Sequence, residues 1–343
     1  MSGLVVHSCI TPYQPEVQSI GRALVVEGLV SDQPGPYTVT LSQTADYTYT
    51  GLNLFVRGAT VTLSDNAGTN EVLTETSPGV YQTSANGLRG VVGRTYKITI
   101  RTSDGHLYES TPEILKAAPP IQKLTYEYRY NPFANTNDQR NTWDVFLDTQ
   151  DPETPGNYYR WVWRNYEATN ACSVSDDANE QGIYSGLPCC SDCWNINQCY
   201  SNCINVSSDV AINGKAISRQ PILSVPFTSR NIYYVEVEQQ AISEGAYRFF
   251  NSVKKLVNNT GGLFDAAPST VGGNLRCTSD PDQPVYGYFG AAGISVMPLK
   301  VDRTKDAVGN PIFKRITVDY LAPCLICENN LYRTRIKPRW WDQ

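Results

Sequence analysis

The residues with the clearest chemical potential are the cysteines. The chain holds ten, and six crowd one stretch: Cys172, Cys189, Cys190, Cys193, Cys199 and Cys203. Thiols at this density either bind a metal as thiolates or pair as disulfides. Cys189-x-x-x-Cys193 and Cys324-x-x-Cys327 have spacings that zinc accepts. A zinc ribbon uses two regular knuckles, whereas Cys189 and Cys190 are adjacent and the other intervals are irregular. The chain's two histidines, His7 and His106, lie far from the cluster. The stretch 172–203 is rich in Asn, Ser, Asp and Gly and poor in aliphatics. That is the composition of a loop that builds no core and is stapled instead. The sequence therefore predicts disulfides drawn from Cys172, Cys189, Cys190, Cys193, Cys199, Cys203, Cys277, Cys324 and Cys327, with no metal site. It also predicts folding in an oxidising compartment. Cys324 follows Pro323 in a strand-loop context, not at a helix start where a thiolate is stabilised, which disfavours a redox motif.

Cys9 stands apart. Leu4-Val5-Val6-His7-Ser8 precedes it, an apolar run ending in a small residue. This matches the end of a bacterial lipoprotein signal peptide, whose cysteine becomes acylated, although the run is short and no basic region precedes it. Residues 1–9 thus read as a residual signal and anchor, and 10–20 as a proline-punctuated tether. A lipid on Cys9 is the expected modification, and no other cofactor is. It leaves nine thiols, enough for four disulfides and one free or vicinal cysteine. No other run approaches the ~18 apolar residues that span a bilayer, so the chain is expected to be anchored and not to cross.

Catalytic signatures are sparse. His106 sits beside an Asp-Gly turn and reads as an exposed loop residue. No G-x-S-x-G, H-E-x-x-H or phosphate-loop pattern occurs. Asp144, Asp148 and Glu167 lie on or near aromatic strands and offer a carboxylate pair for glycoside hydrolysis, but no spacing selects a pair. Asp148-Thr-Gln-Asp151-Pro-Glu153 and Ser175-Asp-Asp177 carry oxygen ligands for calcium without a defined loop, and read as solvated acidic turns. The net charge of −5, with no basic run, argues against nucleic acid as a partner. No catalytic residue is assigned.

Aromatic content is the better lead. Twenty-two tyrosines and six tryptophans supply apolar area with a polar handle, the currency of contact surfaces. Trp161 and Trp163 alternate onto one strand face and read mainly as core. Trp194 and Tyr200 ride on the stapled loop, which disulfides would hold in shape, and are the candidate partner-binding residues.

The elements that position these residues are mostly strands. Residues 23–29, 37–42, 59–63, 71–74, 80–83, 95–101 and 107–110 alternate or run apolar between turns such as Asp65-Asn-Ala-Gly68 and Asp104-Gly105. About seven strands at such intervals predict an immunoglobulin-like β-sandwich over 21–114. Leu115-Lys-Ala-Ala-Pro-Pro120 reads as a linker. A larger β-rich domain follows over 121–343. Its strands are near 123–130, 143–148, 158–167, 232–238, 287–296 and 313–320, and the Cys-rich insertion occupies 172–203. One helix is predicted, Glu244 to Val257, capped by Ser243, with Ala246, Phe249, Phe250, Val253 and Leu256 inward. The aromatic tail Lys337-Pro-Arg-Trp-Trp341 is expected to pack down.

A set of landmarks runs through these elements. They include Leu24-Val-Val-Glu-Gly-Leu-Val-Ser-Asp32, Gly35-Pro-Tyr-Thr-Val-Thr-Leu-Ser42, Gly93-Arg-Thr-Tyr-Lys-Ile-Thr-Ile100 and Asp104-Gly-His-Leu-Tyr-Glu-Ser110. Further on come Ile242-Ser-Glu-Gly-Ala-Tyr247, Gly262-Leu-Phe-Asp265, Gly273-Asn274 and Gly287-Tyr-Phe289. Together they resemble the Bacteroidota lipoprotein family called domain of unknown function 4249. The resemblance implies an outer-membrane lipoprotein with no established enzymatic activity, encoded beside TonB-dependent receptors. The expected role is a non-catalytic binding or accessory subunit of a TonB-dependent-type β-barrel, in nutrient uptake or envelope assembly. It would be held in the outer membrane through lipidated Cys9, with the cell surface favoured over the periplasmic face. The competing readings are a carbohydrate-active hydrolase or glycan-binding protein, and a structural, adhesin-like surface protein.

Overall fold

The computed structural model describes residues 22–44, 54–135, 137–170, 192–198, 203–258, 271–310, 332–338 and 341. The first strands are β1 (Leu24–Ser31), β2 (Thr38–Gln43), β3 (Leu54–Phe55), β4 (Thr60–Asp65), β5 (Asn70–Val72), β6 (Thr74–Ser77), β7 (Val80–Gln82), β8 (Thr95–Arg101), β9 (Leu107–Ser110) and β10 (Glu113–Ile114). Then come β11 (Ile121–Tyr130), the single turn α1 (Asn137–Arg140), β12 (Asn141–Gln150), β13 (Tyr158–Asn170), β14 (Asp192–Gln198), β15 (Asn205–Ser208), β16 (Ala216–Pro226) and β17 (Tyr233–Ile242). The helix α2 (Glu244–Asn258) precedes β18 (Leu275–Cys277), β19 (Val285–Val301) and β20 (Arg333–Thr334). The chain is mostly β, as its alternation predicts.

Period-two patterning explains the strands. In β8 the sequence Thr-Tyr-Lys-Ile-Thr-Ile-Arg turns Tyr96, Ile98 and Ile100 inward and Lys97 and Arg101 outward. Gly105, at φ 94°, makes the turn to β9, and the Thr102 carbonyl accepts from its N–H at 3.0 Å. Gly68 does the same between β4 and β5 at φ 89°, while Asp65 Oδ1 accepts from the Ala67 and Thr69 N–H groups.

The strands form three sheets. The eleven-stranded sheet runs β20-β14-β13-β17-β19-β1-β2-β7-β6, with β15 on β13 and β3 on β2. The six-stranded sheet runs β18-β9-β8-β4-β5, with β10 on β8, and the third runs β11-β12-β16. One core lies between the large and the six-stranded sheets. Val26, Leu41, Tyr81 and Phe289 come from one side, and Leu63, Tyr96, Ile98 and Tyr108 from the other. A second core lies between the large and the three-stranded sheets. Tyr159, Trp161, Val235 and Val237 face Trp143, Val145, Leu147 and Val225 there.

β19 joins the two cores. Its first half pairs parallel with β1 and its second half antiparallel with β17. The change falls between Ala292, the last partner of β1, and Gly293, the first partner of β17, where the Lys116 carbonyl lies 2.3 Å from where a Cβ would stand. The sheet therefore crosses the boundary drawn at 115–120, and β18 and β19 complete the N-terminal layers. Residues 116–121 are not a free linker. The Gln239 amide donates to the Pro119 carbonyl, the Thr149 hydroxyl to the Pro120 carbonyl, and the Ile121 N–H to Ser295 Oγ.

α2 covers the other face of the large sheet. Ser243 caps it as the sequence predicts, accepting from the Ala246 N–H at 3.0 Å. Ala246 is buried, and Phe249 and Phe250 pack on Tyr288 of β19. The predicted strand 313–320 lies outside the described residues.

Candidate functional site

The structure relocates several predicted site residues. Trp194 is not a surface residue: it is 5% exposed. It sits on β14, which continues the sheet beside β13, with β20 paired on its other edge. Its ring meets Trp341 edge-on at 5.9 Å, and Trp341 stacks on Tyr234 at 3.9 Å. The aromatic tail does pack down at Trp341, and it is part of what buries Trp194. Cys277 is also corrected, because it is free and buried. Its thiol lies 3.4 Å from Ser279 Oγ and 3.9 Å from His106 Nδ1, in the core edge where β18 meets β9. Cys193 is buried on β14, and Cys203 is half-buried. Cys9, Cys172, Cys189, Cys190, Cys199, Tyr200, Cys324 and Cys327 lie outside the described residues.

The carboxylate candidates are tied into the scaffold. Asp144 accepts from Arg129 Nε and Nη2 at 2.6 and 3.2 Å and from Ser224 Oγ at 2.6 Å. Burial pushes this carboxyl up, but the Arg129 and Ser224 hydrogen bonds outweigh it and hold the pKa below its ordinary value. Asp148 accepts from the Arg219 N–H at 2.7 Å. Asp151 is no solvated turn residue: it is 1% exposed, and its carboxylate takes the Tyr159 hydroxyl and the Gly214 N–H. Asp209, 2% exposed, likewise accepts from the backbone and side-chain N–H groups of Asn157. These two carboxylates latch loops onto β13. No group of three metal-ligating side chains occurs among the described residues.

Two other places gather chemistry. The first is an open groove of about 380 Å³ at the end of the three-stranded sheet. Arg129, Thr142 and Ser224 form its floor, and Asn131, Phe133, Asn135 and Gln139 its wall. The wall is braced by its own hydrogen bonds. The Asn131 N–H donates to the Arg140 carbonyl, Asn131 Oδ1 accepts from the Phe133 N–H, and Arg140 Nε reaches the Ala134 carbonyl. Buried Asn141 pins the base, bridging Tyr128 and Val308. These bonds hold the backbone beneath Phe133, whose ring is 91% exposed, with Tyr130 47% exposed nearby. Since Arg129 neutralises Asp144, the groove offers amides, hydroxyls and an aromatic face with balanced charge.

The second place is a buried polar cluster beneath α2. Glu113 of β10 is 6% exposed and accepts from the Tyr288 hydroxyl at 2.6 Å, while its Oε2 has no partner. Asn274 bonds the Phe289 backbone through both ends of its amide and also approaches Glu113. Burial raises the Glu113 pKa, opposed by hydrogen bonds from Ser243, Tyr288 and Asn274. Alongside, Arg160 of β13 lies under the Phe250 ring at 4.1 Å. Gly273 and Gly287 let the backbones close here, because a Cβ on Gly273 would stand 1.7 Å from the Gly287 carbonyl oxygen.

The family described as a domain of unknown function (DUF4249) matches residues 10–296. The chain belongs to this family. No curated protein matches it. The DUF4249 match takes in the groove and the buried cluster and ends inside β19. The landmarks carrying the resemblance, Ile242–Tyr247, Gly273-Asn274 and Gly287–Phe289, converge on that cluster. Glu113, Arg160 and Phe133 were not singled out by the sequence. Glu113 and Arg160 have partners far away in the chain. Phe133 sits in Asn131-Pro-Phe-Ala-Asn135, where an aromatic within a turn-forming run was the available signal.

Proposed function

We propose that this DUF4249 protein is a non-catalytic accessory subunit of the cell envelope. In this reading a lipid on Cys9 holds it in the outer membrane, on the cell-surface side, and it docks to a TonB-dependent-type β-barrel. The observation that carries the reading is the groove. Phe133 is 91% exposed on a loop braced by hydrogen bonds, beside a charge-balanced amide surface. An exposed aromatic on a braced backbone, beside polar donors, is the arrangement of an interface anchor. The buried carboxylates support the same reading, since Asp151, Asp209 and Glu113 serve as acceptors between strands.

Two structural refinements go with it. The N-terminal layers are read as an immunoglobulin-like sandwich completed by β18 and β19. The 172–203 insertion is read as disulfide-stapled. Its Asn-, Ser- and Asp-rich composition supports the stapling, and Cys277 is the free cysteine among the described residues.

The test is a gentle-detergent pull-down of the tagged protein from its own cells, wild type beside Phe133→Ala. The reading expects a β-barrel at near-stoichiometric yield with wild type and a clear loss with the variant. Equal recovery with both would move the contact away from the groove. A glycan ligand is the second reading, favoured by the neutralised Arg129–Asp144 floor and the amides of Asn131, Asn135 and Gln139. Calorimetric titration with neutral oligosaccharides separates the two.

A further inference from the structure

β11 is an open edge. Among the described residues it is hydrogen-bonded into a sheet on one side alone, to β12, along its ten residues. In an antiparallel pair alternate residues turn their N–H and C=O groups away from the partner strand, so β11 presents a row of free backbone donors and acceptors. The other strands that end the described sheets are blunted. β16, on the far side of β12, carries Pro221 and Pro226, two register shifts and Arg219 at φ 56°. β20, β6, β18 and β5 hold two to four residues each. β11 has no proline or glycine, and its one register shift lies at its start, between Ile121 and Lys123. Leu-Thr-Tyr-Glu-Tyr-Arg-Tyr is rich in strand formers. Such a row is satisfied by an extended backbone laid along it.

The side chains say whose backbone that is. Leu124, Tyr126 and Tyr128 face the second core, and Lys123, Thr125, Glu127 and Arg129 alternate onto the outer face. Lys123 is exposed and belongs to none of the six ion pairs among the described residues. Glu127 shares Arg219, and its side chain is still 58% exposed. A two-fold axis perpendicular to the sheet would set this strand antiparallel to its own copy. With the axis at Thr125, Lys123 faces Glu127 of the second copy, twice by symmetry, and Leu124 faces Tyr126. With the axis at Tyr126, Lys123 would face Arg129; with it at Glu127, that carboxylate would face itself. Opposite charges favour a directly facing pair and like charges oppose it, so the charges select Thr125. We propose that β11 pairs with β11 of a second copy of this chain about an axis at Thr125, joining two three-stranded sheets into one. This contact is independent of whatever occupies the Phe133 groove.

The test uses the full chain. Sedimentation equilibrium should show a reversible dimer. Thr125→Cys puts two thiols at the axis, where facing Cα atoms stand about 4.5–5.5 Å apart, within disulfide reach. Mild oxidation should link this variant into covalent dimers through position 125, as peptide mass spectrometry would show. In the control Lys123→Cys the two thiols lie four residues apart along the strands, roughly 14 Å, and should not link. Lys123→Glu should raise the dimer dissociation constant several-fold, and adding Glu127→Lys should restore it. A monomer at every concentration would overturn the proposal. So would equal linking from positions 123 and 125, or a dimer that the charge reversal leaves unchanged. Linking of Thr125→Cys to a different envelope protein, with none to itself, would assign the edge to a partner's strand and overturn it too. None of these failures touches barrel docking, which the Phe133→Ala pull-down reads separately.

Discussion

Replacing Glu113 by glutamine tests how the buried cluster is held. Glu113 is 6% exposed; its Oε1 takes the Tyr288 hydroxyl, and its Oε2 has no partner. Burial raises its pKa above 4.5. The folded state therefore binds this proton more tightly than the unfolded state. The group's contribution to stability is complete below the unfolded value and is lost as pH rises through the folded one. Glutamine keeps the size and the acceptor for Tyr288 but cannot ionise. Leaving a polar group buried and unsatisfied costs about 1–3 kcal/mol, more when it is charged. Glu113→Gln should thus be close to wild type in stability near about pH 4 and gain on it by roughly that amount towards about pH 8. Urea unfolding of both proteins across this range measures the difference, from which the other titrating groups cancel. A difference that is flat with pH, or that shrinks as pH rises, would mean that Glu113 does not carry a buried charge at neutral pH. Glu113→Ala removes the acceptor as well and should be destabilised at every pH.

Other substitutions probe the scaffold. Tyr159→Phe strips Asp151 of a buried hydrogen bond and should cost about 1.5–3 kcal/mol in urea unfolding, the range for bonds to charged groups. Gly287 has φ 90°, and a Cβ there would lie 2.0 Å from the Val26 carbonyl oxygen. Gly287→Ala should therefore disrupt the β1–β19 pairing and cost about 3 kcal/mol or more, against about 1–2 kcal/mol for Gly309→Ala, which meets nothing. Cys277 should resist alkylation in the native protein and label rapidly once unfolded, as peptide mass spectrometry would show; rapid native labelling would contradict its burial.

Alternation was legible wherever a strand has one wet face. β8 and β13 are examples, and Trp161 is core as its alternation suggested. β16 was hidden because Pro221 and Pro226 argue against a strand, and the structure places it at a sheet edge, where proline is tolerated. β14 was hidden by its cysteine-rich surroundings, so Trp194 read as a loop residue when it extends a sheet. The pairing that runs across the 115–120 segment was hidden for a topological reason. Parallel pairing of β1 with β19 joins residues more than 250 positions apart, and no local pattern announces it. The same distance hid the site residues. Glu113 meets Tyr288 and Ser243 only once two sheets and a helix have assembled.

The proposed docking surface is the Phe133 groove. A photo-crosslinking amino acid placed at position 133, in the protein expressed in its own cells, tests this most directly. An irradiation-dependent covalent adduct whose peptides include an outer-membrane β-barrel is the expected result. No adduct from 133, with crosslinking to such a barrel from positions elsewhere on the surface, would contradict it.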